Sequence, residues 1–168
     1  MDLKLETTFL TGLEQNKQKI LRICSVYAKN EEDKKDLFQE VLLNLWRSMP
    51  SFKANSSIST WMYRVTLNVC ISAQTKLVKK KKRFINMDSV KLSQYKGATT
   101  TTEEHPQLQY LRSCITKMNE SDRGVIALYL EELPYKEIAA ITGLTENHVA
   151  VKIKRIKKKL LNCINNKS

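Results

Sequence analysis

Tyr135 to Leu160 reads YKEIAAITGLTENHVAVKIKRIKKKL. Two short apolar-periodic segments flank Thr142-Gly143. Ile138, Ala139 and Ile141 come before it; Leu144, Val149, Ile153, Ile156 and Leu160 come after. From Val149 onward the spacing of 4, 3 and 4 makes one stripe on a helix. Ala139 is small where two helices cross closely, and Gly143 can take the positive φ that reverses the chain. Thr145 can cap the second helix by accepting a backbone N–H bond. The pattern predicts a helix-turn-helix with a basic second helix, a shape that fits the DNA major groove. An ordinary antiparallel helix pair with a solvated charged face has the same pattern, so the rest of the chain must decide between them.

Lys+Arg 29 against Asp+Glu 17 gives a net charge of +12 over 168 residues. That excess favours a polyanionic partner, nucleic acid first and an anionic membrane surface second. Its distribution says more. Lys76–Arg83 holds six basic residues and no acid, and Lys152–Lys159 holds six more. Glu31, Glu32, Asp33, Asp36 and Glu40 form an acidic segment instead. Two basic clusters and one acidic patch imply two electrostatically different partners.

The periodicity predicts an all-α chain of two small helical domains joined by a flexible linker. A first helix is expected over about Leu13–Tyr27, with Leu13, Ile20, Ile23, Cys24 and Tyr27 inward. A second runs from an Asn30 N-cap to about Ser48, with Leu37, Phe38, Val41, Leu42, Leu45 and Trp46 on a wide apolar face. Its other face carries Asp36, Gln39, Glu40 and Leu43, either a docking surface for a basic partner or a solvated helix face. After the polar loop Ser51–Ser57, a long helix begins near Ser59, with Met62, Val65, Val69 and Ala73 inward. Trp61, Tyr63, Arg64 and Asn68 add aromatic, basic and amide groups beside the Lys76–Arg83 cluster, the mixture that single-stranded nucleic acid requires; aromatics on such a helix also serve as core. Residues 85–105 are polar and aperiodic and read as the linker. Leu108, Leu111, Ile115 and Met118 then define one helix. Val125, Ile126, Tyr129 and Leu130 define the next, capped by Ser121, ahead of the helix-turn-helix pair.

Several classes are disfavoured. The first ten residues have no secretory signal pattern, and no apolar run approaches the ~20 residues of a membrane span. Cys24, Cys70, Cys114 and Cys163 are scattered without a CxxC and with only two histidines in the chain. They read as structural thiols in a reducing cytoplasm, with neither a metal site nor a disulfide expected. No phosphate-cradling glycine loop and no Ser/His/Asp arrangement argues for an enzyme or for a cofactor.

These pieces, in this order, resemble the bacterial extracytoplasmic-function (ECF) class of sigma factors in the sigma-70 family. Asp36-Leu37-Phe38-Gln39-Glu40 with Leu45-Trp46 is similar to the family's region 2 D-L-hydrophobic-Q-E…W helix. Thr60-Trp61-Met62-Tyr63-Arg64-Val65…Asn68 is similar to its T-W-L-Y-R-I…N helix, and Leu133–Leu160 resembles region 4. The resemblance divides the chain into residues 1–84 (region 2), 85–105 (linker) and 106–168 (region 4). It departs at Leu67, often basic in the family, at Ser72, often acidic, and at His148, where a threonine is usual. Ala150 and Val151 also make the recognition helix less polar than is usual.

The resemblance implies a promoter-specificity subunit without catalytic chemistry, cytoplasmic, with core RNA polymerase, promoter DNA and an anti-sigma factor as partners and no stable membrane insertion. Asp36, Gln39, Glu40 and Leu43 would dock polymerase. The loop with Phe52, Asn55, Ser56 and Ser57 would hold a flipped base of the melted −10 element, whose Watson–Crick edge is then readable. Trp61, Tyr63, Arg64 and Asn68 would border that strand, and Lys79 and Lys80 would hold its phosphates. Asn147, His148, Lys152, Lys154, Arg155 and Lys158 would meet the −35 element in the major groove, Asn through its paired donor and acceptor. The alternatives are a free-standing helix-turn-helix regulator that does not bind core polymerase, and a basic amphipathic protein of the membrane surface. The acidic face of the second helix separates the first from the regulator.

Overall fold

In this computed structural model residues 3–84 and 105–166 are described, with the side chains of 77–84 outside that description. Seven α-helices and a short 3-10 turn make up the described chain. They are α1 (Leu3–Tyr27), α2 (Glu31–Ser48), the turn Met49–Ser51, α3 (Ile58–Phe84), α4 (Pro106–Thr116), α5 (Glu120–Leu130), α6 (Tyr135–Thr142) and α7 (Glu146–Asn165). The fold is all-α, in two helical regions, as the periodicity predicts.

Asn30 caps α2 as expected. Its Oδ1 accepts from Asp33 N at 2.8 Å, while Asp33 Oδ2 accepts from Lys29 N at 2.9 Å, so two backbone donors are satisfied at one helix start. Gly143 ends α6 at φ 79°, its N–H on Ala139 O, and Thr145 Oγ1 accepts from His148 N at 3.1 Å to open α7. At α5 the cap is Asn119 rather than Ser121: its side chain accepts from Asp122 N, which puts Ser121 inside the first turn. An amide oxygen two residues earlier reaches the same orphan donors.

α1 begins ten residues before the expected start. Phe9 anchors the extra turns, its buried ring edge-on to Trp46 at 5.3 Å. Periodicity fades there because Gly12 and Asn16 interrupt the inward stripe, although both are buried. Gly12 lets α1 cross α3: a Cβ would lie 3.2 Å from Met62 and 3.3 Å from Ile58. Asn16 donates to Gly12 O and to Ser59 Oγ and accepts from the Tyr63 hydroxyl, so the polar residue in the apolar stripe is satisfied.

The cysteines are paired by space. Cys114 on α4 and Cys163 near the end of α7 form a disulfide, with Cα atoms 6.0 Å apart. This corrects the expectation of four thiols: α4 packs along α7 and juxtaposes residues that sequence separates by 49. Cys24 and Cys70 are free and buried.

The two helical regions also pack on each other. Arg22 forms a two-pronged ion pair with Glu131, both contacts at 2.7 Å. Tyr27 Oη donates to Glu120 O at 3.0 Å, and an Arg64 Nη donates to Ala140 O. Gly124 makes room in the seam, with a virtual Cβ 3.2 Å from Tyr27 Oη and 3.4 Å from Leu67. Leu67 is thus apolar because it is buried against the other region. α3 also buries Tyr63, Thr66 and Cys70 beyond its expected stripe, Tyr63 against Asn16 of α1, whereas Leu67 is the one set against Gly124 of the other region.

Candidate nucleic-acid interface and docking face

On α2, burial of Leu37, Val41 and Leu45 turns the opposite face to solvent. Asp36, Gln39 and Glu40 are exposed there, beside Leu43 at 53% exposure. Among the described residues neither Asp36 nor Glu40 forms an ion pair, so the negative field of the stripe is not offset by a neighbouring cation. Trp46, expected inward, is 41% exposed and extends the apolar end of this face.

The turn Met49–Ser51 leads into the loop Phe52–Ser57. Ala54 takes a left-handed φ of 56°, which fixes a sharp bend at a residue with a Cβ. Ser57 closes the loop by capping α3: its Oγ accepts from Thr60 N at 3.1 Å and donates to Thr60 Oγ1. Phe52 and Trp61 form a tilted ring pair with centroids 5.3 Å apart, both half-buried, and in the same loop Asn55 is exposed and Ser56 half-buried.

The other predicted strand-contacting residues fall in different places. Asn68 is exposed. Arg64 is exposed but bound to Ala140 O of α6. Tyr63 is buried on the Asn16 side chain, and desolvation, ahead of nearby Glu131 and Glu137, pushes its phenol up to about 12. The side chains of Lys79 and Lys80 lie outside the described residues.

On α7, Val149, Ile153, Ile156 and Leu160 are buried, as their spacing predicts. Asn147, Val151, Lys154 and Lys158 are exposed along one side, and His148 is exposed at the head of the row that carries Lys152 and Arg155. Lys152 and Arg155 face α5, where Asp122 is buried 3.4 Å from Lys152 Nζ and 3.6 Å from the Arg155 guanidinium. Lys157 Nζ rests 4.4 Å from the centre of the Tyr129 ring, and its pKa is raised, first by hydrogen bonding to Tyr129. Sequence reading missed Asp122. A signal was present: Asp122, Val125, Ile126 and Tyr129 stand at i, i+3, i+4 and i+7, so an acid occupies the inward stripe.

Comparison with known proteins gives these surfaces a context. The family description Sigma-70 region 2 matches residues 13–82, and Sigma-70, region 4 matches residues 108–160. RNA polymerase sigma factor YlaC of Bacillus subtilis is 28% identical over 153 residues, covering 85% of this chain and 84% of that protein. Sigma factor SigV of the same organism is 27% identical over 156 residues, 90% of each. In fold, the chain is similar to sigma factor RpoE in its complex with anti-sigma factor NepR from Bartonella quintana. The TM-score is 0.65 at 16% identity, over 92% of this chain and 97% of that one. No helix among the described residues is long and apolar enough to cross a membrane. With regions 2 and 4 matched in order, and relatives aligned over most of their length, the chain belongs to the sigma-70 family of RNA polymerase sigma factors, in its ECF class.

Proposed function

We propose that this sigma factor docks core RNA polymerase through the α2 face and directs it to promoters through two DNA-reading surfaces. The observation that carries this reading is the opposition of two solvent-facing helices: an acidic stripe on α2 and a basic row on α7 behind a capped helix-turn-helix. A free-standing regulator has no use for the first. Residues 1–84 would serve polymerase docking and the −10 element, 85–105 would link, and 106–168 would serve the −35 element. The chain works in the cytoplasm and adds no catalytic step of its own; it supplies position.

Each surface has a distinct task. Asp36, Gln39 and Glu40 meet basic polymerase side chains, and Leu43 adds an apolar anchor. Asn55, Ser56 and Ser57 offer hydrogen-bonding groups to a flipped −10 base, alongside the ring pair of Phe52 and Trp61. Asn147 and His148 reach base edges from the first turn of α7, while Lys154 and Lys158 meet phosphate farther along. The −10 and −35 elements lie about 25 base pairs, or roughly 85 Å, apart on B-form DNA. Arg64 and Ala140, one from each region, are in hydrogen-bond contact. The packed arrangement therefore cannot serve both elements, and promoter binding requires the two regions to separate. An anti-sigma partner that held them together would keep the factor inactive. The resemblance to a sigma factor bound to its anti-sigma factor supports that partner class. Recovery of the untagged chain from uninduced cells only alone or with polymerase would count against it.

The deciding experiment is co-purification with core polymerase at moderate salt. Wild type should be retained and Asp36→Arg/Glu40→Arg lost, while both still bind duplex DNA. If neither form binds polymerase and both bind DNA, the regulator reading replaces this one.

A further inference from the structure

Three cations of α7 converge on one carboxylate. Asp122, in the first turn of α5, is 1% exposed. Its oxygens lie 3.4 Å from Lys152 Nζ, 3.6 Å from Arg155 and 3.9 Å from Lys159 Nζ. The Lys152 side chain is 13% exposed and also donates to Ser121 Oγ at 2.9 Å. Asp122 Oδ1 has no hydrogen-bond partner among the described groups, so Lys152 and Arg155 meet that oxygen through charge. Positions 152, 155 and 159 form one row on α7, at i, i+3 and i+7. Asn147, Val151, Lys154 and Lys158 form a second row, at i, i+4, i+7 and i+11, and all four are exposed. The carboxylate serves only the first.

We propose that Asp122 is a positioning residue for promoter recognition, an internal counter-ion that holds Lys152, Arg155 and Lys159 back from phosphate and leaves the Asn147–Val151–Lys154–Lys158 row to meet the duplex. The inference rests on the −35 reading and deepens it. A phosphate that captured Lys152 would leave a buried carboxylate short of its nearest partner, and uncompensated buried charge is costly. The cations of α7 are therefore not equivalent. If all six cations of Lys152–Lys159 met phosphate the log–log salt slope would be roughly −5; with Lys152, Arg155 and Lys159 held by Asp122 and Lys157 over Tyr129 it is roughly −2. Restraining the sequence-independent contacts leaves a larger share of the binding free energy to base edges, which raises selectivity.

The test is the salt dependence of duplex binding by the full chain, read by fluorescence anisotropy. One probe is a random-sequence duplex; the other is a duplex that wild type enriches from a randomised pool. Lys154→Gln should make the slope shallower by about 0.9, and Lys152→Gln by well under half of that. Asp122→Asn should steepen the slope by about 1 to 3 through the released cations and lower the ratio of enriched to random binding. Asp122→Glu should restore part of both. Equal effects of Lys152→Gln and Lys154→Gln would overturn the proposal. So would a folded Asp122→Asn with wild-type slope and ratio. Should Asp122→Asn not fold, the two lysine variants decide alone. Failure of the −35 reading itself looks different: wild type enriches no sequence, and neither Lys154→Gln nor Lys158→Gln changes the slope.

Discussion

The two helical regions solve the same problem, a small helical core, by different means. The first crosses long helices, of 25, 18 and 27 residues in α1, α2 and α3. The polar web around its buried Asn16 is hydrogen-bonded, and its two cysteines remain thiols. In the second, α4, α5 and α6 have only 11, 11 and 8 residues. Helices of two or three turns bury little apolar surface each, and a core that small needs additional ties. Here the ties are the Cys114–Cys163 bond and the charges gathered at Asp122. Long helices can rely on dispersed apolar contact, whereas a compact DNA-reading unit depends on a few localised connections, and those are where it can be loosened.

Cutting the covalent tie tests that contrast most severely. The disulfide closes a separation of 49 residues, for which the chain-entropy account gives at most about 4 kcal/mol. Reduction, or Cys163→Ser, should lower the melting of α4–α7 while α1–α3 is little changed. Followed by amide hydrogen exchange, protection should fall first in α4 and the last turns of α7. Thiol titration in denaturant should find the two thiols of Cys24 and Cys70 without reductant and all four cysteines with it. In the folded chain the Cys70 thiol should stay unreactive, because its hydrogen bond with Cys24, then burial, push its pKa far up. Four titratable thiols without reductant would break the comparison.

A smaller effect is expected where the two regions meet. Gly124→Leu would drive atoms into Tyr27 and Leu67, and overpacking of this kind costs about 1–3 kcal/mol. The seam can relieve it by parting, which the interior of neither region can do. Small-angle scattering should then show a larger radius of gyration with helix content unchanged by circular dichroism. Loss of helix instead would mean that the seam belongs to one indivisible core.

Most of the architecture was legible because its signals are local. Asn30, Gly143 and Thr145 act on backbone groups a few residues away, and the α7 stripe needs only its own period. The misses required knowledge of partners. Cys114 and Cys163 look unrelated until α4 lies along α7, and Leu67 looks like a departure until Gly124 is placed against it. Asp122 and Asn16 were visible as polar residues within apolar stripes, but the sequence does not say what satisfies them. At the candidate site, exposure of the α2 stripe and of Asn147, His148, Lys154 and Lys158 followed from the buried faces opposite. That Tyr63 points into the core while Asn68 stays outside followed only from how α3 is shared between two neighbours.

The mildest test uses pH and bears on the first region and the seam. Burial is the leading cause that raises the phenols of Tyr63, to about 12, and of Tyr27, further still, above their ordinary 10.0. Around Tyr63, Glu131 and Glu137 reinforce the rise and Arg22 opposes it; around Tyr27, Cys70 and Glu120 reinforce it and Arg123 opposes it. The folded chain thus holds these protons more tightly than the unfolded chain. Their contribution to stability is complete below about pH 10 and is lost as pH climbs through the folded values. Chemical denaturation midpoints should therefore hold steady up to about pH 10 and then decline, with Tyr63→Phe showing a shallower decline because Tyr27 remains. Tyr27 bonds to Glu120 across the seam, so its ionisation removes a donor that joins the regions. The radius of gyration should rise over the same alkaline interval. Midpoints that stayed level to about pH 12 would mean that water reaches both rings, and that the long-helix core is looser than its packing implies.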